Sequence, residues 1–330
     1  MNSRWSSRRV VVTGGLGFIG SNLAIRLVEL GAEVTIIDLP APECAGDLSN
    51  VASILSAVRL LREDLANPGD WAACISDAHV VFHLAGQVSH SASMQRPVDD
   101  LRQNCGALLN VLEEARQSTP APKIVFTSTR QVYGRAESLP IQETHPVRPP
   151  DINGIHKVAA EEYLRIYRQF HHVPSTTLQL TNTYGPRIDL RNPGRGVLNV
   201  FIARALRGES LEIFGDGQQR RDILYVDDVV EALLLAAELD DPGPFLLGEA
   251  RPTSLREFLD VLAEILPIEV RYRPFPADLQ SIDIGDSHCD STRFASLTGW
   301  SPRVILWEGL ASTLRWARPQ ISGERGKSAP

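Results

Sequence analysis

Residues 10–20 read VVVTGGLGFIG, and this stretch decides the fold. The three valines predict a short parallel strand, because β-branched residues favour strands and parallel strands are buried on both faces. An apolar run at helical spacing follows. Gly14, Gly17 and Gly20 stand between the two elements, where glycine permits a tight turn, the close approach of a phosphate and close helix–strand contact. The N–H groups and the dipole at the helix start favour a pyrophosphate. The stretch therefore predicts a dinucleotide-binding βα unit.

The chain has 330 residues and a formal net charge of −7 at pH 7. This length is sufficient to bury one large core or two smaller ones. The negative charge argues against nucleic acid or an anionic membrane as a partner, because no excess of basic residues would offset it. The four cysteines lie far apart and form no CxxC pair, which predicts a reducing compartment and no structural metal. Since no apolar run approaches membrane-spanning length, we expect a cytoplasmic protein.

Strands and helices alternate along the chain, which predicts an α/β fold built on a doubly wound parallel (Rossmann) sheet. The second predicted strand, Glu33–Asp38, ends in an acid at the position where an adenosine ribose would offer its 2′-hydroxyl, which favours NAD over NADP. Asp64 and Leu65 follow a third short strand and can meet the adenine. Further strands are predicted at 78–84, 123–127, 176–180 and 211–214, and helices at 19–30, 98–117, 153–170, 197–207, 229–239 and 255–265.

Two histidines, His79 and His83, lie four residues apart in a predicted buried strand. That spacing suits a metal ion only on a helix, so we expect both to be packing or loop-end residues. Two later strands run into the segments TSTRQVYG (127–134) and TNTYGPR (181–187). In an open parallel sheet, ligands bind beyond the carboxyl ends of the strands, so these segments are predicted to face the site.

Several motifs in this order resemble the extended short-chain dehydrogenase/reductases that modify nucleotide-linked sugars, UDP-glucose 4-epimerase and its relatives. The resemblance covers about residues 8–317. It rests on Lys157 on its helix and on the stretches TGGLGFIGSNL, VFHLAG, STRQVYG, TNTYGPR, GDGQQRRDILYVDD and LTGWSP. The motifs are weak singly and specific together.

The resemblance implies a Rossmann NAD-binding domain at 1–180 and a smaller, mixed nucleotide-sugar-binding domain at 181–320. The chain is expected to return to the sheet near 221–240, and residues 321–330 to form a disordered tail. Relatives of this kind keep their NAD, oxidise the sugar to a 4-keto intermediate and return the hydride to the opposite face. A homodimer built through the helices 98–117 and 153–170 is also implied.

The resemblance gives individual residues their expected roles. Thr129 matches the Ser/Thr that hydrogen-bonds the reacting hydroxyl, and Lys157 matches the lysine that holds the nicotinamide ribose. Asn182 and Arg221 match positions that bind the diphosphate, a task that suits an arginine fork. The expected cofactor residues are Gly14, Gly17, Phe18, Ile19, Gly20, Asp38, Asp64, Leu65, Leu84, Ala85, Gly86, Asn104 and Lys157. The expected substrate residues are Gln87, Ser89, Arg130, Asn182, Arg187 and Arg221. The candidate catalytic residues are Thr129, Asn153, His156, Lys157 and Tyr184.

One position departs from the family pattern Tyr-x-x-x-Lys, because residues 153–157 read Asn-Gly-Ile-His-Lys. Positions 153 and 157 share a helix face, so Asn153 points where the tyrosine would. A tyrosine there can lose and regain a proton beside a lysine cation, whereas an amide can only orient a hydroxyl or a water.

Three explanations are open. Another group can transfer the proton, namely His156, Tyr133, Tyr184 or a water held by Asn153 and Thr129. The chemistry can differ and need no base at this place. Alternatively, the protein binds NAD and a nucleotide sugar without turnover. The first is favoured, because Lys157, Thr129 and the diphosphate residues all remain.

Two further positions bear on the reaction. A related 4,6-dehydratase would carry an Asp-Glu pair where this chain has Arg130 and Gln131, and a sugar-acid decarboxylase would keep a glutamate at the second place. Neither substitute can act as a carboxylic acid, which disfavours elimination and decarboxylation. The expected reaction is epimerisation, with C4 as the expected carbon. The alternative is another NAD-dependent conversion of a nucleotide sugar, by reduction, dehydration or decarboxylation. Arg130 can instead meet an anionic group such as a uronic acid. Gln280 stands where the family often has a diphosphate-binding arginine, which Arg187, Arg191 or Arg195 can replace.

Overall fold

The computed structural model describes residues 2–39, 46–190, 196–249, 251–274 and 285–325. Its contacts divide the chain into two compact units. Unit 1 comprises residues 1–132, 147–180 and 230–245, and unit 2 comprises residues 133–146, 181–229 and 246–330.

The strands are β1 Arg9–Thr13, β2 Glu33–Asp38, β3 Val58–Arg62, β4 Val80–His83, β5 Lys123–Thr129, β6 Ser175–Leu180, β7 Asn182–Tyr184, β8 Leu211–Phe214, β9 Arg220–Arg221, β10 Ile223–Tyr225, β11 Phe245–Leu246, β12 Thr253–Ser254 and β13 Val270–Arg273. The α-helices are α1 Asn2–Trp5, α2 Phe18–Glu29, α3 Trp71–Asp77, α4 His90–Gln95, α5 Pro97–Leu101, α6 Ala107–Gln117, α7 Ile152–His171, α8 Val197–Arg207, α9 Val226–Ala236, α10 Leu255–Ile265, α11 Thr292–Thr298 and α12 Leu306–Arg325. Segments of 3₁₀ helix lie at Leu48–Ala57 and Arg130–Tyr133.

Unit 1 is built on a seven-stranded sheet with the order β11-β6-β5-β4-β1-β2-β3. The pairings among β1 to β6 are all parallel. Strand order reverses between β1 and β4, which is the point where doubly wound sheets bind ligands beyond the strand ends. The predicted α/β Rossmann sheet is therefore confirmed.

The core of unit 1 follows from the β-branched and apolar strands. Val10, Val11 and Val12 of β1 are fully buried, as are Leu23 and Leu27 on the face of α2 that covers the sheet. Burial on both faces explains why β1 is a continuous apolar run rather than an alternating one.

The predicted helix 98–117 is interrupted in the structure. It consists of α5, a π-helical turn at Arg102–Gly106 and α6. Such turns insert one residue into a helix and often occur at functional sites. Here the turn carries Asn104, which is buried.

The described residues of unit 2 form three two-stranded sheets, β7 with β10, β8 with β13 and β9 with β12. Asp228, in the first turn of α9, organises the segment before α12: its carboxylate accepts the backbone N–H groups of Arg303 and Val304 at 3.0 and 3.1 Å, and the Trp300 indole donates to its backbone carbonyl. The final helix α12 runs to Arg325, past residue 320, where the sequence placed the start of a disordered tail; residues 326–330 lie outside the described residues.

Across the part of the chain that the structure describes, no helix combines the length and the apolarity needed to cross a bilayer.

Candidate active site

The turn after β1 has space for backbone only. Gly14 has a φ of +70°, and a Cβ there would lie 2.8 Å from the backbone nitrogen of Ala85. A Cβ on Gly20 would lie 2.2 Å from the Gly14 carbonyl oxygen. Helix α2 begins after Gly17, which offers no side chain to cap the first N–H groups. These donors at the positive end of the helix dipole fit a pyrophosphate.

Asp38 lies at the end of β2, beside this turn. Its Oδ2 accepts the backbone N–H of Leu16 at 2.7 Å. Burial raises the pKa of Asp38, and the N–H donors of Leu16 and Leu39 oppose this shift. The carboxylate is thus fixed at the end of β2, and its contact with a dinucleotide ribose stays a prediction.

Asp64 makes hydrogen bonds within the protein that the sequence does not predict. Its Oδ2 accepts the Arg102 guanidinium at 2.5 Å, and its Oδ1 accepts the backbone N–H of Ala66 at 2.9 Å. The Leu65 carbonyl accepts the Asn110 side-chain amide at 2.8 Å. An adenine contact through Asp64 and Leu65 stays a prediction.

The two strand histidines have separate structural roles. His79 Nδ1 accepts the backbone N–H of Arg9 at 3.0 Å. His83 Nδ1 lies 3.0 Å from Thr13 Oγ1, which also accepts the Ala85 N–H at 3.1 Å. Burial, together with the charge of Lys157, lowers the pKa of His83 to about 3, so the ring is neutral. No group of three metal-ligand side chains exists among the described residues.

Gly86, Asn104 and Lys157 form a cradle at the carboxyl ends of β4 and β5. A Cβ on Gly86 would lie 2.5 Å from Asn104 Oδ1 and 3.8 Å from Lys157 Nζ. The Asn104 amide donates to the Gln87 carbonyl at 3.2 Å and to Asp100 Oδ1 at 3.1 Å, which points Oδ1 the other way. That oxygen is buried and has no donor among the residues that the structure describes. An unsatisfied buried acceptor beside a glycine-lined space fits the ribose hydroxyls of a dinucleotide.

Lys157 supplies the cation of the cradle. Its Nζ donates to the Thr127 carbonyl at 3.2 Å and lies 4.8 Å from the centroid of the Phe126 ring. Burial lowers the pKa of Lys157 to about 8, against the opposing charges of Asp100 and Glu161. Glu161 in turn is held by Ser128 and Gln179, and burial raises its pKa.

Asn153 uses both of its amide protons inside the protein. Its Nδ2 donates to the Gln87 carbonyl at 2.7 Å and to Asp100 Oδ2 at 3.3 Å. Since both partners are acceptors, the orientation of the amide is fixed and its Oδ1 can only accept. Its backbone N–H donates to Ser93 Oγ at 3.2 Å. The geometry supports an orienting role for Asn153 and gives it no means of proton transfer.

His156 is directed at the same buried carboxylate. Its Nδ1 lies 2.6 Å from Asp100 Oδ1, and only 12% of its side chain is exposed. Asp100 itself is buried and thus connects His156, Asn153 and Asn104. Sequence reasoning missed Asp100, although its position four residues before Asn104 on a helical segment puts the two side chains on one face.

Thr129 ends β5, where its Oγ1 accepts the backbone N–H of Gln131 at 3.2 Å. The Gln131 side chain donates to Asp151 Oδ2 at 2.8 Å. Asp151 is the N-cap of α7 and also lies beside His90. The structure therefore links Thr129 to two residues, Asp151 and His90, that the sequence reasoning missed. Ser89, an expected substrate residue, caps α4 through the Ala92 N–H.

The expected substrate residues of the second half lie in unit 2. Asn182 donates to the Asp222 carbonyl at 3.1 Å, and the Arg221 guanidinium donates to the backbone carbonyls of Arg220 and Gly285. Arg187 occupies a left-handed backbone conformation with φ +71°. Arg191, Arg195 and Gln280 lie outside the described residues.

The two tyrosines considered for proton transfer are packing residues of unit 2. Tyr184 is buried, stacks edge-on against Tyr225 and donates to the Leu306 carbonyl at 3.4 Å. Burial raises the pKa of Tyr184, which disfavours the phenolate that a base would need. Tyr133 is buried edge-on to His145, with ring centroids 5.7 Å apart. Neither tyrosine enters the mechanism proposed below.

Sheet order and the turn after β1 place the chain among the dinucleotide-binding α/β proteins. The model of the NAD dependent epimerase/dehydratase family matches residues 10–248. The chain belongs to this family, and its cofactor is NAD.

Three similar proteins show the range of chemistry in the family. A putative UDP-glucose 4-epimerase of Methanocaldococcus jannaschii is 32% identical over 313 residues, which cover 94% of this chain and 98% of the relative. UDP-glucuronic acid decarboxylase 2 of Arabidopsis thaliana is 32% identical over 332 residues, covering 97% and 71%. The solved UDP-glucose 4-epimerase of Thermus thermophilus in complex with NAD is 32% identical, covers 94% of this chain and 99% of its own, and superposes with a TM-score of 0.80.

Proposed function

We propose that this protein is an NAD-dependent epimerase of nucleotide-diphosphate sugars that acts at C4. Membership of the family and the similarity to UDP-glucose 4-epimerases support this assignment. The observation that carries it is the cradle of unit 1, in which Lys157 Nζ, the unsatisfied Asn104 Oδ1 and Gly86 meet at the carboxyl edge of the sheet.

When bound, NAD would accept a hydride from the sugar and return it. The glycine turn would hold the pyrophosphate, Asp38 the adenosine ribose, and Asn104 with Lys157 the nicotinamide ribose. A lysine cation here also stabilises the negative charge that develops on a sugar oxygen as its proton leaves.

Thr129 and Asn153 would orient the sugar. The Thr129 hydroxyl lies at the end of β5, and its oxygen already accepts the Gln131 N–H, so its own proton is available to the substrate. The Asn153 carbonyl oxygen can accept a hydrogen bond from a sugar hydroxyl. We further propose that Asn182, Arg187 and Arg221 of unit 2 bind the diphosphate, and that the protein acts as a homodimer in the cytoplasm.

A second candidate function is the decarboxylation of a nucleotide-linked uronic acid. The Arabidopsis thaliana relative bears that name, and Arg130, next to Thr129, has the charge to meet a carboxylate. The amide of Gln131, which cannot act as an acid, disfavours this candidate relative to epimerisation.

The test begins with the purified protein, whose bound nucleotide is released by denaturation and identified by mass spectrometry. The protein is then incubated with UDP-glucose, UDP-N-acetylglucosamine and UDP-glucuronic acid, and the products are followed by proton NMR. Epimerisation gives the C4 epimer with no loss of mass, whereas decarboxylation releases CO₂ and a pentose nucleotide. Lys157→Met is the inactive control. No product from any of the three sugars would refute the proposal.

A further inference from the structure

We propose that His90, oriented by Asp151, is the group that removes and returns the hydroxyl proton of the sugar. This inference rests on the epimerase function proposed above and supplies the base that Asn153 cannot be.

His90 and Asp151 form a histidine–carboxylate pair. His90 Nδ1 lies 2.9 Å from Asp151 Oδ2. The Nδ1 atom is buried while 44% of the side chain is exposed, so the exposed surface belongs to the other atoms of the side chain. Nδ1 makes no well-aligned hydrogen bond among the described residues. The separation of 2.9 Å still lets Asp151 hold an Nδ1 proton and leave Nε2 as the acceptor, which is the arrangement that general bases use.

Asp151 is held firmly enough to orient the ring. Its Oδ1 accepts the Gly154 N–H at 2.8 Å as the cap of α7, and its Oδ2 accepts the Gln131 amide at 2.8 Å. Burial, the largest single influence, would raise the pKa of Asp151, but the interactions with His90, Gly154 and Gln131 together outweigh burial and lower the pKa. The carboxylate therefore stays charged beside the ring.

The pair lies at the edge of the sheet where the expected substrate residues gather. His90 opens α4, three residues after Gln87 on the segment that leaves β4. Asp151 precedes Asn153 at the start of α7, and Gln131 connects it to the Thr129 hydroxyl through one backbone and one side-chain hydrogen bond. β4 and β5 are neighbouring strands, so the segment that carries His90 and the segment that carries Gln131 leave the sheet from adjacent strand ends.

His156 has the same kind of partner but a different setting. Its Nδ1 faces Asp100, which is fully buried and already accepts from Asn104 and Asn153. With 12% of the side chain exposed against 44% for His90, His156 has little surface to offer a sugar. The geometry therefore favours His90.

His90 Nε2 would take the proton of the sugar hydroxyl, and bound NAD would supply the oxidising power by accepting a hydride from the carbon, so that the alcohol would become a ketone. After the ketone had turned over, the hydride would return to the carbon and His90 would return the proton to the oxygen. Nothing else is consumed.

The experiment compares His90→Gln, His90→Ala, Asp151→Asn and His156→Gln with His171→Gln, a matched control at the far end of α7. Conversion is measured with whichever of the three UDP-sugars the wild type converts. We expect His90→Gln to lower kcat by about 10²–10⁴-fold, the usual range for loss of a general base, and free imidazole to restore part of the activity of His90→Ala. Asp151→Asn keeps the helix cap but offers His90 an amide, so kcat should fall while the melting temperature changes little.

A second readout does not depend on turnover. Diethyl pyrocarbonate modifies neutral imidazole, and peptide mapping by mass spectrometry locates the modified histidines. We expect His90 to be modified in the holoenzyme and protected by UDP-glucose, whereas His171 is modified equally with and without the sugar nucleotide. Lack of protection at His90 would overturn the inference.

The outcomes separate the two proposals. If the wild type converts none of the sugars, the proposed function fails and the role of His90 fails with it. If the wild type is active and His90→Gln retains its kcat within about threefold, or if imidazole rescues a His156 variant instead, only the assignment of His90 is wrong.

Discussion

Gly20→Ala should both destabilise unit 1 and weaken NAD binding. The added Cβ would lie 2.2 Å from the Gly14 carbonyl oxygen and 2.9 Å from the Cα of Gly15. Both neighbours are backbone atoms of the turn after β1, so no side-chain rotation relieves the clash. The turn and α2 must separate by about 1 Å to reach ordinary contact distance.

The expected magnitude follows from that displacement. Overpacking that forces backbone to move destabilises by about 1–3 kcal/mol. A shift of about 1 Å also stretches a hydrogen bond from the turn to the pyrophosphate beyond its useful range. Loss of one bond to a charged group is worth about 1.5–3 kcal/mol, so the dissociation constant of NAD should rise roughly ten- to a hundredfold.

The assay is urea unfolding of the protein with and without NAD, together with calorimetric titration of NAD into stripped protein. Gly106→Ala is the matched control in the same unit. Its backbone is helical, with φ −62°, and the nearest atom to an added Cβ is the Leu101 carbonyl oxygen at 4.0 Å. This change should stabilise by about 0.4–1 kcal/mol. If Gly20→Ala retains the unfolding free energy and NAD affinity of the wild type, the close approach between Gly20 and the backbone of the turn after β1 is wrong.

Three further predictions concern buried or partly buried polar groups. Asp100→Asn removes a charge that raises the pKa of Lys157, so the alkaline limb of kcat against pH should move to lower pH; an unmoved limb contradicts this. Burial and the charge of Asp222 raise the pKa of Glu249 from its ordinary 4.5 to about 7. The protonated carboxyl therefore favours the folded state, and this contribution to the free energy of unfolding is lost as the pH rises from 4.5 to about 7. Glu249→Gln should therefore gain stability relative to the wild type by roughly 2 kcal/mol between pH 5 and pH 8, as measured by urea unfolding. Asn153→Tyr should lower stability by about 2–4 kcal/mol without raising kcat, since it overfills a buried position and breaks two hydrogen bonds; a gain in activity would contradict the orienting role.

Much of the fold can be predicted from local sequence patterns. The strand at 33–38 and the helices at 197–207 and 255–265 have the bounds that the sequence predicts. Helix α8 ends at Gly208, whose φ of +73° is the usual left-handed stop. The interruption at 102–106 could not be predicted in this way, because one inserted residue barely alters an apolar periodicity.

The site is less accessible to sequence reasoning than the fold. Gly14, Gly20 and Asp38 could be found because the dinucleotide turn has a fixed spacing along the chain. His90 and Asp151 are about sixty residues apart, and only the packing of α4 against the start of α7 brings them to 2.9 Å. No spacing rule reports a contact of that kind.

The contacts of Asn153 explain why an amide is suited to this position. A side-chain amide has two protons, and the structure uses one for the Gln87 carbonyl and one for Asp100. A phenol has a single proton and could not donate to both of these acceptors. Asp100 also holds Asn104, whose free oxygen lies in the cofactor cradle, so a change at residue 153 would reach the cofactor site through Asp100. In this arrangement the residue four before Lys157 positions its neighbours and has no proton to exchange, which is why we assign proton transfer to His90.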